Sequence, residues 1–379
     1  MAGAGSIVTR VGRFWRRVTD GMEVDQLWKQ FRSDARSSFQ LYAREVDSTW
    51  TPGVGKGKEL FRIAGKFFWA IIEKLTPARR VLLLIALVLL LFNVEGSWEG
   101  SRGGVRIFWF SGSLWGGLLM LAVLVLEVAD RVVMKRDLQI AKEIQAWLLP
   151  ATPPQVPGLG IAFATRAANT VAGDYYDVFP RPSAGSGSGT FLIAVADVAG
   201  KSIPAAMLMA TFQASLKTLA MTAGSLTDLV GRMNTYACSN SQNGCRFTTT
   251  FLAEYDPGSR SLIYVNAGHN APMLRREAGA IERLQAGGIP LGIQEDARYE
   301  SGTVTLESGD WLVIFTDGVV EAENERAQEY GEARLISTLY PYPAVTPAVL
   351  LNTIVADLDR FVGNAPQHDD VTLMVVKAG

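Results

Sequence analysis

Four prolines in eight positions, Pro150, Pro153, Pro154 and Pro157, divide this chain into two parts that obey different periodicities. On the N-terminal side, no Pro or Gly interrupts the stretch from Leu118 to Leu149, so a single long helix can run into the proline cluster. Met134, Leu138, Ala141 and Leu148 trace a heptad-like stripe along it, with Gln145 in the missing place, and Ile140, Ile144 and Trp147 make a second stripe on an adjacent face. Such a stalk can pair two copies into a homodimer or dock on the domain that follows. Beyond Gly158 the texture changes to strands alternating with turns. Phe191–Ala196, Phe247–Tyr255, Ser261–Asn266, Trp311–Phe315 and Val371–Val376 are apolar or β-branched runs of strand length. Ile203–Ala220 and Leu226–Ser239 are helical in period, and the Pro/Ser/Gly-rich stretch Arg181–Gly189 reads as a loose hairpin loop. The layout is α+β.

Composition matters chiefly in the first part. Hydrophobic residues make up 48% of the 379, and the excess is concentrated between Val81 and Val128. Val81–Val94 and Ile107–Val128 read as two apolar runs near the ~20 residues a bilayer span needs. Lys74, Arg79 and Arg80 precede them, and Arg131, Lys135 and Arg136 follow. The positive-inside rule then predicts a hairpin in the cytoplasmic membrane with both termini in the cytoplasm. Residues 1–78 read as basic and helical, and the second helix of that region suits either a membrane surface, with lipid as its partner, or packing on a neighbouring helix. The expected division is 1–78 N-terminal region, 79–128 two transmembrane helices, 129–150 stalk and 151–379 catalytic domain. A formal charge of −1 gives no electrostatic footprint for nucleic acid. Cys238 and Cys245, the only cysteines, fit neither a zinc signature nor a disulfide scaffold.

The aspartates of the second part fall in one type of place. Phe191–Ala196 ends in Asp197, and Trp311–Thr316 ends in Asp317-Gly318. Asp369-Asp370 stands just before Val371–Val376, while Gly173-Asp174-Tyr175-Tyr176-Asp177 heads another apolar segment. A buried strand delivers its end residue to the rim of a sheet, so several such ends can gather carboxylates around one point. Oxygen ligands without His or Cys suit Mg²⁺ or Mn²⁺. Two such ions activate a water and clamp a phosphoryl group for in-line attack.

Seven stretches, in order, carry a resemblance. They are Ala141-Lys142-Glu143-Ile144-Gln145 with Leu148-Leu149-Pro150, Gly173–Asp177, Ala196–Lys201 with Pro204-Ala205-Ala206, Asn266–Pro272, Gly288–Gly292, Thr316–Ala322 and Asp369–Thr372. Together they resemble the type 2C metal-dependent protein serine/threonine phosphatases, in the SpoIIE/RsbU branch of bacterial regulators. The resemblance runs from about Leu138 to Lys377. It implies a sandwich of two antiparallel sheets flanked by helices, with two Mn²⁺ or Mg²⁺ ions at one end. It assigns Asp174 and Asp197 to the metals, with the carbonyl of Val198 as a further ligand. Asp317 and Asp369 hold the other side, and Asp370 is the adjacent candidate because a doubled Asp leaves the register open by one residue. The substrate it implies is a phosphorylated regulatory protein, of the anti-sigma-factor-antagonist type.

Departures are small: Ala172 stands where the family often has glycine, and Ala199 and Ser202 replace a common Ser and Gly. None removes a ligand. The contrasting reading is a catalytically silent signalling module of the same fold, and the intact aspartates argue against it. His269, between Gly268 and Asn270 at a strand end, reads as a turn residue rather than a general acid, and His368 as solvent-facing or second to Asp369. Gly200-Lys201-Ser202 looks like the tail of a P-loop, but Val195 stands where that motif requires Gly.

Overall fold

The structure is a computed structural model that describes residues 68–69, 72–92, 95–98, 108–182, 189–222, 224–240, 246–340 and 345–379. The basic region expected over 1–78 therefore lies outside the described residues except at its end, as do Cys245 and the tip of the 181–189 loop. The chain forms two compact units, Met1–Arg131 and Val132–Gly379.

In the first unit, helix α1 (Pro77–Leu91) opens with proline, whose fixed φ suits a first helical turn. Strands β1 (Glu95–Trp98) and β2 (Phe108–Ser111) pair antiparallel, and helix α2 (Gly112–Leu148) begins directly after them. These elements overturn the expected membrane hairpin, and with it the multi-pass membrane location; the lipid-facing helix expected before it lies outside the described residues except at its end. Among the described residues, no helix is long and apolar enough to cross a membrane. At ~1.5 Å per residue α1 is about 22 Å long, short of a hydrocarbon core of about 30 Å. The second run was expected to start at Ile107, but β2 takes Phe108–Ser111 out of the helix. What remains, Leu114–Leu126, stops at Glu127, which is held by Arg79 at 3.3 Å and Arg131 at 3.5 Å.

The second unit is the expected sandwich. Its first sheet has the order β10-β7-β6-β5-β4, with β11 also on β7. These strands are β4 (Tyr175–Arg181), β5 (Thr190–Val198), β6 (Thr248–Asp256), β7 (Ser261–Ala267), β10 (Gly287–Gly288) and β11 (Gly302–Thr305). The second sheet runs β3-β13-β12-β8-β9. It consists of β3 (Leu159–Arg166), β8 (Met273–Arg275), β9 (Ile281–Arg283), β12 (Trp311–Phe315) and β13 (Val371–Ala378).

Each sheet is covered on both faces, which is why its central strands read as unbroken apolar runs instead of alternating ones. In β5, Ile193 and Val195 point between the sheets, where they meet Phe251, Leu312, Ile314 and Met374. Leu192, Ala194 and Ala196 point outward to helices α3 (Ser202–Ala220) and α4 (Leu226–Asn240), packing with Met209, Phe212, Leu216 and Leu229. In β12 the same alternation sends Val313 and Phe315 outward. There they meet Leu335 of α6 (Glu332–Leu339) and Ile354 and Leu358 of α7 (Pro347–Val362). A four-residue helix, α5 (Asp317–Val320), follows β12 directly. Element boundaries match the expected ones within about two residues, the uncertainty inherent in helix and strand ends.

Of the two stripes on the C-terminal part of α2, the first is partly or fully buried at Leu138, Ala141, Gln145 and Leu148, while its first member, Met134, is exposed. Ile140, Ile144 and Trp147 are exposed, Trp147 at 81%.

Candidate active site

Because strand side chains alternate, the even-numbered inward set of β12 and β13 continues past the apolar core into Thr316 and Thr372. There the core turns polar. Thr165 and Thr372 hydroxyls lie 2.9 Å apart, the Thr372 amide donates to Thr316 Oγ1 at 3.0 Å, and Thr316 Oγ1 donates to Asp174 Oδ2 at 3.0 Å. Asp174 is 1% exposed, and its Oδ1 is buried with no hydrogen-bond partner. On β5 the odd-numbered inward set ends at Asp197, paired in register with Thr249.

Two close approaches bring the remaining segments in. A Cβ on Gly173 would stand 3.0 Å from the carbonyl oxygen of Val198, so the backbone before Asp174 lies against the end of β5. A Cβ on Gly318 would collide with the Asp370 carbonyl, so only glycine lets the turn after Asp317 pack on the Asp369-Asp370 pair.

The doubled aspartate divides its work. Asp370 is 9% exposed, and both its oxygens are engaged: Oδ1 accepts from the Ala168 amide at 2.7 Å and Oδ2 from the Gly173 amide at 2.6 Å. It ties down the loop that carries Asp174. The side chain of Asp369 is 40% exposed; its Oδ1 accepts from the Asp370 amide, and its Oδ2 faces Lys201 Nζ at 3.0 Å. The Lys201 ammonium also donates to the His368 carbonyl at 2.7 Å.

The carboxylates feel one another. Burial, then the charge of Asp197, holds Asp174 well above the usual carboxylate range. Burial, then Asp317, Asp369 and Asp370, pushes Asp197 up to about 7, and Lys201 opposes that rise. Asp317 is raised by burial and by Asp369. A folded protein keeps several buried like charges together only where something else compensates them. The donor set is all oxygen, and the orphaned Asp174 Oδ1 has no protein partner; both fit a hard divalent cation. Among the described residues no three His, Cys, Asp or Glu side chains stand close enough together to hold a metal ion by themselves. Mg²⁺-type ions do not need three, since they are held by one or two carboxylates and fill the remaining positions with water and phosphate oxygens.

Beside this cluster opens a cavity of about 450 Å³, lined by Lys201, Gly318, Glu321, His368 and Asp369 among others. His269 lies elsewhere in the bonding pattern. Its ring is buried, its Nδ1 is 3.0 Å from Thr249 Oγ1, and its backbone is locked to Asn266 by two hydrogen bonds. Burial pushes its pKa down to about 4, so the imidazole is neutral. Cys238 sits on α4, its Sγ 3.7 Å from Asn234 Oδ1. Three participants were not picked out from sequence as site residues. Thr316 and Thr372 lie within motifs of the resemblance but look like ordinary strand threonines, and Gln145, which stands in the first of those motifs and breaks an apolar stripe, holds Ala172 beside the cluster.

The family described as Stage II sporulation protein E (SpoIIE) matches residues 187–379, half of the chain. The chain belongs to the SpoIIE family. It is a type 2C protein serine/threonine phosphatase of the SpoIIE/RsbU branch. Phosphoserine phosphatase RsbU of Bacillus subtilis is 28% identical over 244 residues, 64% of this chain and 70% of that protein. Phosphoserine phosphatase RsbP of the same organism is 24% identical over 192 residues, covering 49% of this chain and 46% of RsbP. Among solved structures, the SiaA-PP2C domain of Pseudomonas aeruginosa superposes with a TM-score of 0.56 at 21% identity, over 66% of this chain and 98% of that domain. This likeness shows the fold of the SpoIIE-family domain.

Proposed function

We propose that residues 151–379 form the catalytic domain and hydrolyse phosphoserine or phosphothreonine on a regulatory protein of the anti-sigma-factor-antagonist type. Two Mn²⁺ or Mg²⁺ ions serve the reaction. The observation that carries this reading is the carboxylate cluster, with Asp174 Oδ1 buried and unpartnered near Asp197, which in turn faces the charge of Asp317. In this reading Asp174, Asp197 and the Val198 carbonyl hold metal on one side, and Asp317 and Asp369 on the other. Bound there, the ions supply an activated water and neutralise phosphoryl charge. Asp370 is a positioning residue, because both its oxygens are spent on backbone amides.

The protein's own groups do the rest. The Thr372–Thr316 relay orients Asp174, and Asp370 keeps the loop before it in place. The neighbouring cavity receives the phosphorylated side chain. Similarity to RsbU and RsbP supports the substrate class. The exposed Ile140, Ile144 and Trp147 stripe is where a second copy would pair, readable by sedimentation of the full chain.

The absence, among the described residues, of three such side chains close enough to hold a metal ion by themselves favours one competing reading, a silent module of the same fold. A phosphatase assay on the full chain with Mn²⁺, with Asp197→Ala and Asp317→Ala as controls, separates the two. Hydrolysis of a phosphoserine protein that needs both metal and the two aspartates supports the enzyme. Metal-independent partner binding without hydrolysis of any phosphoprotein would sink it.

A further inference from the structure

Lys201 is the cation the proposed chemistry leaves unused. Its surroundings single it out. The backbone on both sides is bent into the left-handed region, at Gly200 with φ +122° and at Ser202 with φ +61°. That conformation is costly for serine, and such strain persists where the surrounding structure imposes it, often at working sites. Lys201 stands at the N-cap position of α3 without capping it through its side chain. The bend aims a 55% exposed side chain at the rim of the cavity, where the ammonium meets Asp369 and the His368 carbonyl. The other strong cation lining that cavity, Arg166, is held by Asp359 at 2.7 Å.

We propose that Lys201 is the phosphate-binding cation of this site, its ammonium engaging the oxygens of the phosphoryl group when a phosphorylated side chain enters the cavity beside Asp369. The inference rests on the phosphatase reading and deepens it. A divalent cation held by Asp369 would compete with the ammonium for that carboxylate's charge and weaken the contact seen at 3.0 Å. The four-carbon stem of lysine then lets the charge swing to the next anion, and in this cavity that anion is the phosphoryl dianion. The ammonium already stands at the cavity rim, 3.0 Å from Asp369 Oδ2, so a dianion entering beside Asp369 lies within its reach.

The test compares full-length wild type, Lys201→Met and Lys201→Arg, all loaded with Mn²⁺, by titrating inorganic phosphate calorimetrically and by measuring kcat and KM on a phosphoserine peptide. Lys201→Met should weaken phosphate binding roughly 10- to 100-fold, the range of one charge-assisted hydrogen bond, and lower kcat/KM by a similar factor. Lys201→Arg should recover most of both, while Mn²⁺ affinity and Tm stay at wild-type values. Unchanged phosphate affinity in Lys201→Met overturns the proposal. So does a loss that appears only in Mn²⁺ affinity or Tm, which would make Lys201 a tether between α3 and the loop before β13. A wild type that binds phosphate through Lys201 but hydrolyses nothing would remove the enzyme reading and leave this one standing.

Discussion

Gln145 and Ala172 exchange two hydrogen bonds: Gln145 Nε2 donates to the Ala172 carbonyl at 2.6 Å, and the Ala172 amide donates to Gln145 Oε1 at 3.0 Å. A side-chain amide has thus taken the place of a backbone partner, so the last turns of α2 are fastened to the residue two before Asp174. Gln145 is 8% exposed, and neither Ala172 group has water to fall back on.

Replacing Gln145 with leucine keeps the bulk and removes both bonds. The expected cost is about 1–3 kcal/mol from two buried backbone groups left unpaired. Activity should fall through a higher Mn²⁺ requirement, because Asp174 loses its fixed position. Thermal unfolding with and without Mn²⁺, and the Mn²⁺ dependence of kcat, check this; an unchanged Mn²⁺ requirement would show that the Asp174 loop holds itself.

Asp197→Asn should abolish turnover by more than about 100-fold, yet stabilise the protein in the absence of metal. The sign follows from linkage. Burial and the neighbouring aspartates raise Asp197 in the folded state to about 7, from an ordinary carboxylate value of 3.8. Between those values the native state binds more protons than the unfolded one, so its stability falls as pH rises through the window and levels off above pH 7. His269, buried neutral with a pKa of about 4, acts in the opposite direction between pH 4 and 6.5. The difference between wild type and Asp197→Asn cancels that contribution. In chelator, the variant's Tm should exceed wild type by about 3 °C or more at pH 8, with the gap shrinking toward pH 4. A wild type as stable as the variant at pH 8 would falsify the carboxylate-repulsion account.

The neighbouring aspartates should separate cleanly. Asp370→Ala strips the Ala168 and Gly173 amides of a shared carboxylate and should cost about 3 kcal/mol of stability. Asp369→Ala removes a half-exposed group and should leave Tm near wild type while Mn²⁺-dependent hydrolysis is lost. Equal effects on Tm would contradict the division of roles read from their hydrogen bonds.

His269→Asn retains a polar atom near the position of Nδ1, within reach of Thr249. If the imidazole only supports the turn, the pH–rate profile of this variant should match wild type above pH 6, with kcat within about threefold; a lost acidic limb would instead mark a proton donor.

The strand runs, the two long helices on the first sheet and the gathering of aspartates were legible in the sequence, because each depends on local period and on strand ends. Asp174, Asp197, Asp317 and Asp369 could be named before any contact was known. The doubled aspartate could not be resolved, since Asp369 and Asp370 differ only in what faces them after folding. The hairpin expectation failed for a related reason. Hydropathy counts apolar residues without knowing where a helix begins, and β2 removes Phe108–Ser111 from the run that hydropathy had joined.

By itself, the sequence determined which strands are buried on both faces and which carboxylates their ends carry, because side-chain alternation is a property of the local backbone. Only the tertiary structure decided that Gln145 grips Ala172, that Asp370 serves the backbone while Asp369 faces Lys201, and that Thr316 reaches Asp174. Each of those joins residues between 27 and 202 positions apart. Contacts at such separations are set by how the two sheets stack, and no local pattern records them.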